Sequence, residues 1–154
     1  VLSLVEIDNS VTQEAETYLD DARFAYFYKD ALTHLYNQDY FDFILNKSKN
    51  ENLFLCLHVL YIRNFTAYNK KNGWDLGDAL LKNFAAYLKS EFKEFRIFRI
   101  FGDDFVLLKY EHQDIDIDID KINAIELFKN SNLYCEHKHF NLKKIDIDSY
   151  KDLE

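Results

Sequence analysis

Residues 53–62 read LFLCLHVLYI and residues 96–110 read RIFRIFGDDFVLLKY. In the first stretch both alternating sets are apolar: Leu53, Leu55, Leu57 and Val59 on one side, Phe54, Cys56, Leu60 and Ile62 on the other. A strand apolar on both faces belongs in the middle of a sheet covered on both sides. In the second stretch, Arg96 to Ile100 and Phe105 to Tyr110 form two strands joined at Phe101-Gly102-Asp103-Asp104, a connection short enough for a hairpin. Helical patterns surround these strands. Asn37 can cap a helix to about Lys47 that places Tyr40, Phe41, Ile44 and Leu45 on one face. Residues 64–72 predict a short helix ended by Gly73, and Asp78 to about Phe92 a longer one with Leu81, Phe84, Ala85 and Leu88 inward. A helix over 120–130 and a strand over Leu133 to Leu142 complete the order. The fold class that follows is α+β, a mostly antiparallel sheet covered by helices.

Ahead of this lies an N-terminal helical extension, residues 1–29. Ser10 can cap a helix to Lys29 with Val11, Ala15, Tyr18, Ala22 and Ala25 at heptad-like spacings. Such a stripe suits a signalling or dimerising helix, and equally a helix packed on its own domain. The remaining residues, 30–154, make one domain of a size that buries a real core.

The chain has 3 glycines and no proline in 154 residues, which excludes linker-like and collagen-like classes. Its formal charge is 19 minus 27, or −8, so sequence-independent nucleic-acid binding and attachment to an anionic membrane are excluded as first readings. The longest apolar run is too short to cross a bilayer, so no membrane insertion is expected. Charge is uneven: residues 61–99 carry eight basic and four acidic side chains, which permits an anionic small ligand there. Cys56 and Cys135 show no CxxC spacing and read as reduced core residues in a cytoplasmic setting. His137 and His139 share a strand face, but no third ligand is in view for zinc. The Asp-Ile alternation at 114–120 reads as a solvated strand edge or loop, since a calcium loop needs a glycine and a terminal Glu that are missing. With Val1 first and no methionine, the sequence reads as a segment of a longer protein.

Chemistry gathers at one end of the expected sheet. There the loop with Gly73 and Gly77 would lead into a helix N-terminus at Asp78, a setting that suits a phosphate. Asp103 and Asp104 at the hairpin tip would suit a magnesium ion if a neighbouring strand gave a further carboxylate. Two turns and a capped helix account for the same residues without any ligand.

Four motifs in order carry a resemblance: Asp30-x-Leu-Thr-x-Leu-x-Asn37 followed by Phe41; Phe65-x-x-x-Asn69; Gly73-x-x-x-Gly77-Asp78 with Leu81; and Arg99-x-x-Gly102-Asp103-Asp104-Phe105. Over residues 30 to about 110 the chain resembles the GGDEF domain of diguanylate cyclases. The resemblance implies a palm-like nucleotidyl cyclase fold and a place in bacterial cyclic-di-GMP signalling. It also implies the family reaction, in which two facing domains each hold one GTP and each 3′-hydroxyl attacks the other's α-phosphate with metal assistance.

The family's guanine-reading residues fall on Asn69 and Asp78, and the nucleotide-approaching glycine that survives is Gly102. Asp103 falls on the metal-binding, general-base position and Asp104 on that of the signature glutamate. Tyr61 and Arg63 stand where the family has two carboxylates, Thr66 where it has a lysine, and Phe101 in place of the first signature glycine, where a bulky ring would block the nucleotide. The product-inhibition motif is replaced by Phe92-Lys-Glu-Phe95. These departures imply a degenerate member without useful cyclase activity, needing no cofactor and holding magnesium only weakly at Asp103. Its expected role is that of a regulatory, dimerising or GTP-sensing module. The expected partners are GTP or another guanine nucleotide, a second copy, or an adjacent phosphodiesterase (EAL) domain. An active cyclase and a nucleotide-independent scaffold are the alternatives.

Overall fold

Leu55–Arg63 (β1) forms the expected strand, with every residue to Ile62 buried, in a computed structural model that describes residues 20–111, 113, 115–142 and 147–154. The first part of the expected N-terminal helix, Asp114 and Asp146 lie outside the described residues. Helix α1 covers 20–28, and α2 covers Gln38–Asn50. The Asn37 side chain accepts the Tyr40 N–H at 3.0 Å, so one of the helix's four unpaired amides is satisfied. Phe41, Ile44 and Leu45 then meet the sheet.

After β1 come α3 (Phe65–Asn72), α4 (Trp74–Glu91), β2 (Arg96–Ile100), β3 (Asp104–Tyr110), α5 (Ile119–Asn123) and β4 (Tyr134–Leu142). Short 3₁₀ turns lie at Glu126–Phe128 and Tyr150–Leu153. The sheet order is β2-β3-β1-β4, antiparallel throughout. Both central strands are thus covered on two faces, as their composition requires. One face packs Leu60, Ile62, Phe105 and Leu107 against Leu81, Phe84 and Leu88 of α4. The other packs Leu57, Val59, Val106 and Phe98 against α2 and Leu153. Phe84 and Phe105 meet edge to face at 5.0 Å, and burial of each such side chain is worth roughly 1.5–3 kcal/mol.

Two helical expectations need correction. Helix α4 begins at Trp74, four residues before Asp78, because Gly73 at φ +89° ends α3 and starts α4 in a single residue. Gly77 and Asp78 therefore lie inside a helix, and Asp78 is not its N-cap. Gly77 serves close packing: a Cβ there would stand 1.8 Å from Asn69 Oδ1. The expected helix over 120–130 is shorter, with α5 ending at Asn123. The Asn123 side chain turns to clamp Cys135, accepting its N–H at 2.7 Å and donating to its carbonyl at 3.1 Å.

Candidate functional site

The turn between β2 and β3 holds Phe101, Gly102 and Asp103, with Phe101 and Gly102 at φ +49° and +85°. Arg99 fixes this turn from below. Its Nε donates to the Gly102 carbonyl at 2.6 Å, while Nη1 reaches both carboxylate oxygens of Asp30 at 3.0 and 3.2 Å. Asp30 also accepts the Thr33 N–H at 2.8 Å and hydroxyl at 2.7 Å. Burial alone would raise the Asp30 carboxyl, but the bonds from Thr33 and Arg99 outweigh it and hold the carboxyl below its ordinary value.

The Asp103 backbone carbonyl accepts the Ile62 N–H at 3.2 Å, which seats the turn on the end of β1. Beside it Asp104, 8% exposed, lies directly across from Tyr61. Burial first, then the Asp103 charge, pushes the Asp104 carboxyl up to about 7; it shares a hydrogen bond with Asp103. Burial likewise raises the Asp103 carboxyl. Arg63 opposes the rise at both carboxyls, joined by Arg99 at Asp103, and it is itself paired with Glu136 at 2.9 Å. Tyr61 is 3% exposed; its ring belongs to the α2-side core, and its hydroxyl donates to the Leu153 carbonyl. Burial, and after it Asp104, raises that phenol to about 12, so it stays protonated.

A groove of about 470 Å³ opens between the end of β1, the start of α3 and Asp103, lined by Arg63, Thr66, Ala67 and Lys70 among others. The structure thus brings Asp103, Arg63 and Lys70 to one groove, with Asp104 and Tyr61 just behind. A larger cavity, about 560 Å³, lies between Tyr68 and Lys71 of α3 and the Leu127–Leu133 segment. Among the described residues no carboxylate lines it.

Asn69 and Asp78 are not among the residues that line the groove. Asn69 is 7% exposed and faces Gly77; its Oδ1 has no hydrogen-bond partner among the described residues. Asp78 is exposed on α4. The Phe101 ring sits 5.3 Å from that of Tyr150, packed on the α2-side core, and is not among the residues that line this groove. Gly102, by contrast, is needed for its positive φ alone, since a Cβ there would meet nothing within 4 Å. Phe92 and Phe95, at the replaced inhibitory motif, pack against the α4-side core.

One cluster was not legible in the sequence. Cys56 and His58, two apart on β1, share a face, and register places His58 opposite His139 and Leu60 opposite His137. His58 is fully buried, and burial above all lowers its imidazole to about 4, so the ring is neutral. The third and fourth heteroatom side chains missing beside His137 and His139 are therefore present across the strand pair.

A family model described as "Diguanylate cyclase, GGDEF domain" matches residues 27–143. No curated protein matches the chain at a significant level. Among solved structures, the chain is similar to the coiled coil and GGDEF domain of DgcB from Caulobacter crescentus in complex with c-di-GMP. The two share 16% identity over 88% of this chain and 79% of that one, with a TM-score of 0.61. It is also similar to a diguanylate cyclase/phosphodiesterase from Caldicellulosiruptor saccharolyticus, at 20% identity over 79% of each chain and a TM-score of 0.62. A third likeness is to the S helix-GGDEF-EAL portion of Vibrio cholerae LapD, at 20% identity over 80% of this chain and 32% of that one, with a TM-score of 0.63. At these identities the likeness is one of fold.

Proposed function

The chain belongs to the GGDEF domain family of diguanylate cyclases, and from that premise we propose that it is a regulatory, nucleotide-sensing module of cyclic-di-GMP signalling with little or no cyclase activity. The observation that carries this reading is Tyr61. At the position where the resemblance puts a metal-binding carboxylate, a phenol lies in the core, bonded to the Leu153 carbonyl. Magnesium takes hard oxygen ligands, and a protonated, core-facing phenol is a poor one. Two residues on, the guanidinium of Arg63 stands where the resemblance puts a second carboxylate, and its charge opposes the rise of the Asp103 and Asp104 carboxyls. The residues present do not fit a two-metal centre. Since losing one stabilising group commonly costs ~10²-fold in rate, losing several removes useful turnover.

What remains is a groove suited to phosphate without metal. Arg63 and Lys70 line it, and Thr66 with them. Cationic donors bind phosphate oxygens by charge-assisted hydrogen bonds. Binding of GTP or a related guanine nucleotide is thus independent of magnesium. Output passes through contact with another domain or a second copy. Tyr26 and Phe27 of α1 and Phe43 of α2 are 81%, 59% and 51% exposed, an aromatic surface beside the N-terminal helix that suits such a contact. A phosphodiesterase (EAL) domain or a second GGDEF domain is the partner of choice. The setting is cytoplasmic; among the described residues no helix is long and apolar enough to cross a membrane.

Calorimetric titration with GTP, in magnesium and in chelator, tests this. Equal affinity under both conditions, weakened by Arg63→Ala and Lys70→Ala, supports the reading. Binding that requires magnesium overturns it, and no binding at all reduces the role to interaction alone. An active cyclase is favoured only by the retained Asp103–Asp104 pair.

A further inference from the structure

We propose that Cys56, His58 and His139 bind a Zn²⁺ ion, with His137 orienting His58 from behind. The three donor atoms lie within 4.8 Å of one another. Cys56 Sγ stands 3.5 Å from His58 Nε2 and 3.8 Å from His139 Nε2. With Zn–S near 2.3 Å and Zn–N near 2.05 Å, a tetrahedral ion requires an S···N edge of about 3.6 Å. The observed S···N separations bracket that value; the Ile115 carbonyl, which lies 2.5 Å from His58 Nε2 and 3.7 Å from Cys56 Sγ, has to swing out of the cluster as the ion enters.

The donor set selects the metal. One thiolate and two neutral imidazoles suit zinc and exclude the oxygen-seeking magnesium and calcium. The arrangement behind the donors is that of a metal-ligating histidine. His58 Nδ1 lies 2.8 Å from His137 Nε2, and a ligating imidazole donates its second N–H to such a partner. Without metal, His58 Nε2 and the Ile115 carbonyl are hydrogen-bonded, so that nitrogen carries the proton and Nδ1 accepts from His137. On zinc binding the Cys56 S–H bond breaks and its proton leaves to solvent. His58 shifts its proton from Nε2 to Nδ1, where it is donated to His137 Nε2, and the His137 proton moves to its own Nδ1. One proton is released per ion, and the thiolate sulfur and the two Nε2 lone pairs form the three bonds. His139 is the exposed member of the three donors, and a zinc ion with three protein ligands takes a water as its fourth.

The site is remote from the groove, toward the other end of β1, and does not depend on the nucleotide reading. Its consequence is mechanical: the ion ties β4, an outer strand, to β1 and frees the Ile115 carbonyl from His58.

The test is titration of the full chain with Zn²⁺ against a chromophoric chelator, together with the absorption spectrum of the Co²⁺-substituted protein. One ion per chain is expected, with sulfur-to-cobalt charge-transfer bands and the visible bands of tetrahedral cobalt. Cys56→Ser should abolish the charge transfer. His137→Ala should weaken zinc binding by roughly 10- to 100-fold, and His139→Ala by more. Because His139 is exposed, its variant folds even if changes at buried Cys56 do not, and circular dichroism checks each. Absence of one-to-one binding, or binding unaltered by His139→Ala, overturns the proposal.

Discussion

Replacing Asp104 by asparagine should stabilise the folded chain at about pH 8 and leave it nearly unchanged at about pH 4. The carboxyl is pushed from an ordinary 3.8 up to about 7, by burial and then by Asp103, with Arg63 opposing and Glu154 adding to the rise. A raised folded-state value means that the folded chain binds the proton more tightly than the unfolded chain. That stabilisation is complete below the ordinary value and is lost as pH rises through about 7. The full rise corresponds to ~4 kcal/mol at 1.36 kcal/mol per pH unit, and sharing of the charge with Asp103 and solvent screening at the end of the strand reduce it to ~2 kcal/mol. Asparagine keeps the shape and a hydrogen-bond donor toward Asp103 but never ionises. Urea denaturation of both proteins across this range should therefore show the variant gaining ~2 kcal/mol relative to the parent as pH rises. A variant equal to or weaker than the parent at high pH would refute the reasoning. So would a marked rise of the parent's midpoint on adding magnesium at high pH, since that would reveal the ion-binding carboxylate pair this account denies.

Three further outcomes follow from particular contacts. Tyr61→Phe removes the donor to the buried Leu153 carbonyl and should cost ~1–3 kcal/mol in chemical denaturation without changing GTP affinity. Gly77→Ala drives a methyl to 1.8 Å from Asn69 Oδ1 and should cost ~1–3 kcal/mol; Asn69→Ala in the same chain should recover most of that in a double-mutant cycle. Asp30→Ala leaves Arg99 without its carboxylate and should cost ~2 kcal/mol near neutral pH. Because the Asp30 carboxyl is held below its ordinary value, the difference from the parent should shrink as pH falls through that lowered value, read from denaturation midpoints.

The parts of this fold legible in the sequence are those set by local pattern. Leu53 to Ile62, apolar on both faces but for His58, reads as a covered strand, though β1 itself starts at Leu55, and Asn37 announces the helix it caps. The hairpin and Asp103 follow from their own turn chemistry. Non-local register was not legible: nothing near His137 or His139 marks Cys56 and His58, which arrive only when β1 pairs with β4. Side-chain direction at a left-handed residue was equally hidden. The turn sends the Phe101 ring to Tyr150. Gly77 was read as a loop glycine, whereas its reason is the approach of Asn69. Leu153, far along the chain from Tyr61, accepts its hydroxyl, a contact no local pattern announces.

Whether Tyr61 and Arg63 deprive this GGDEF domain of a catalytic metal centre is decided by incubating the chain with GTP and either magnesium or manganese and separating the nucleotides by chromatography. GTP should be recovered intact. Formation of cyclic-di-GMP, abolished by Asp103→Ala, would contradict it.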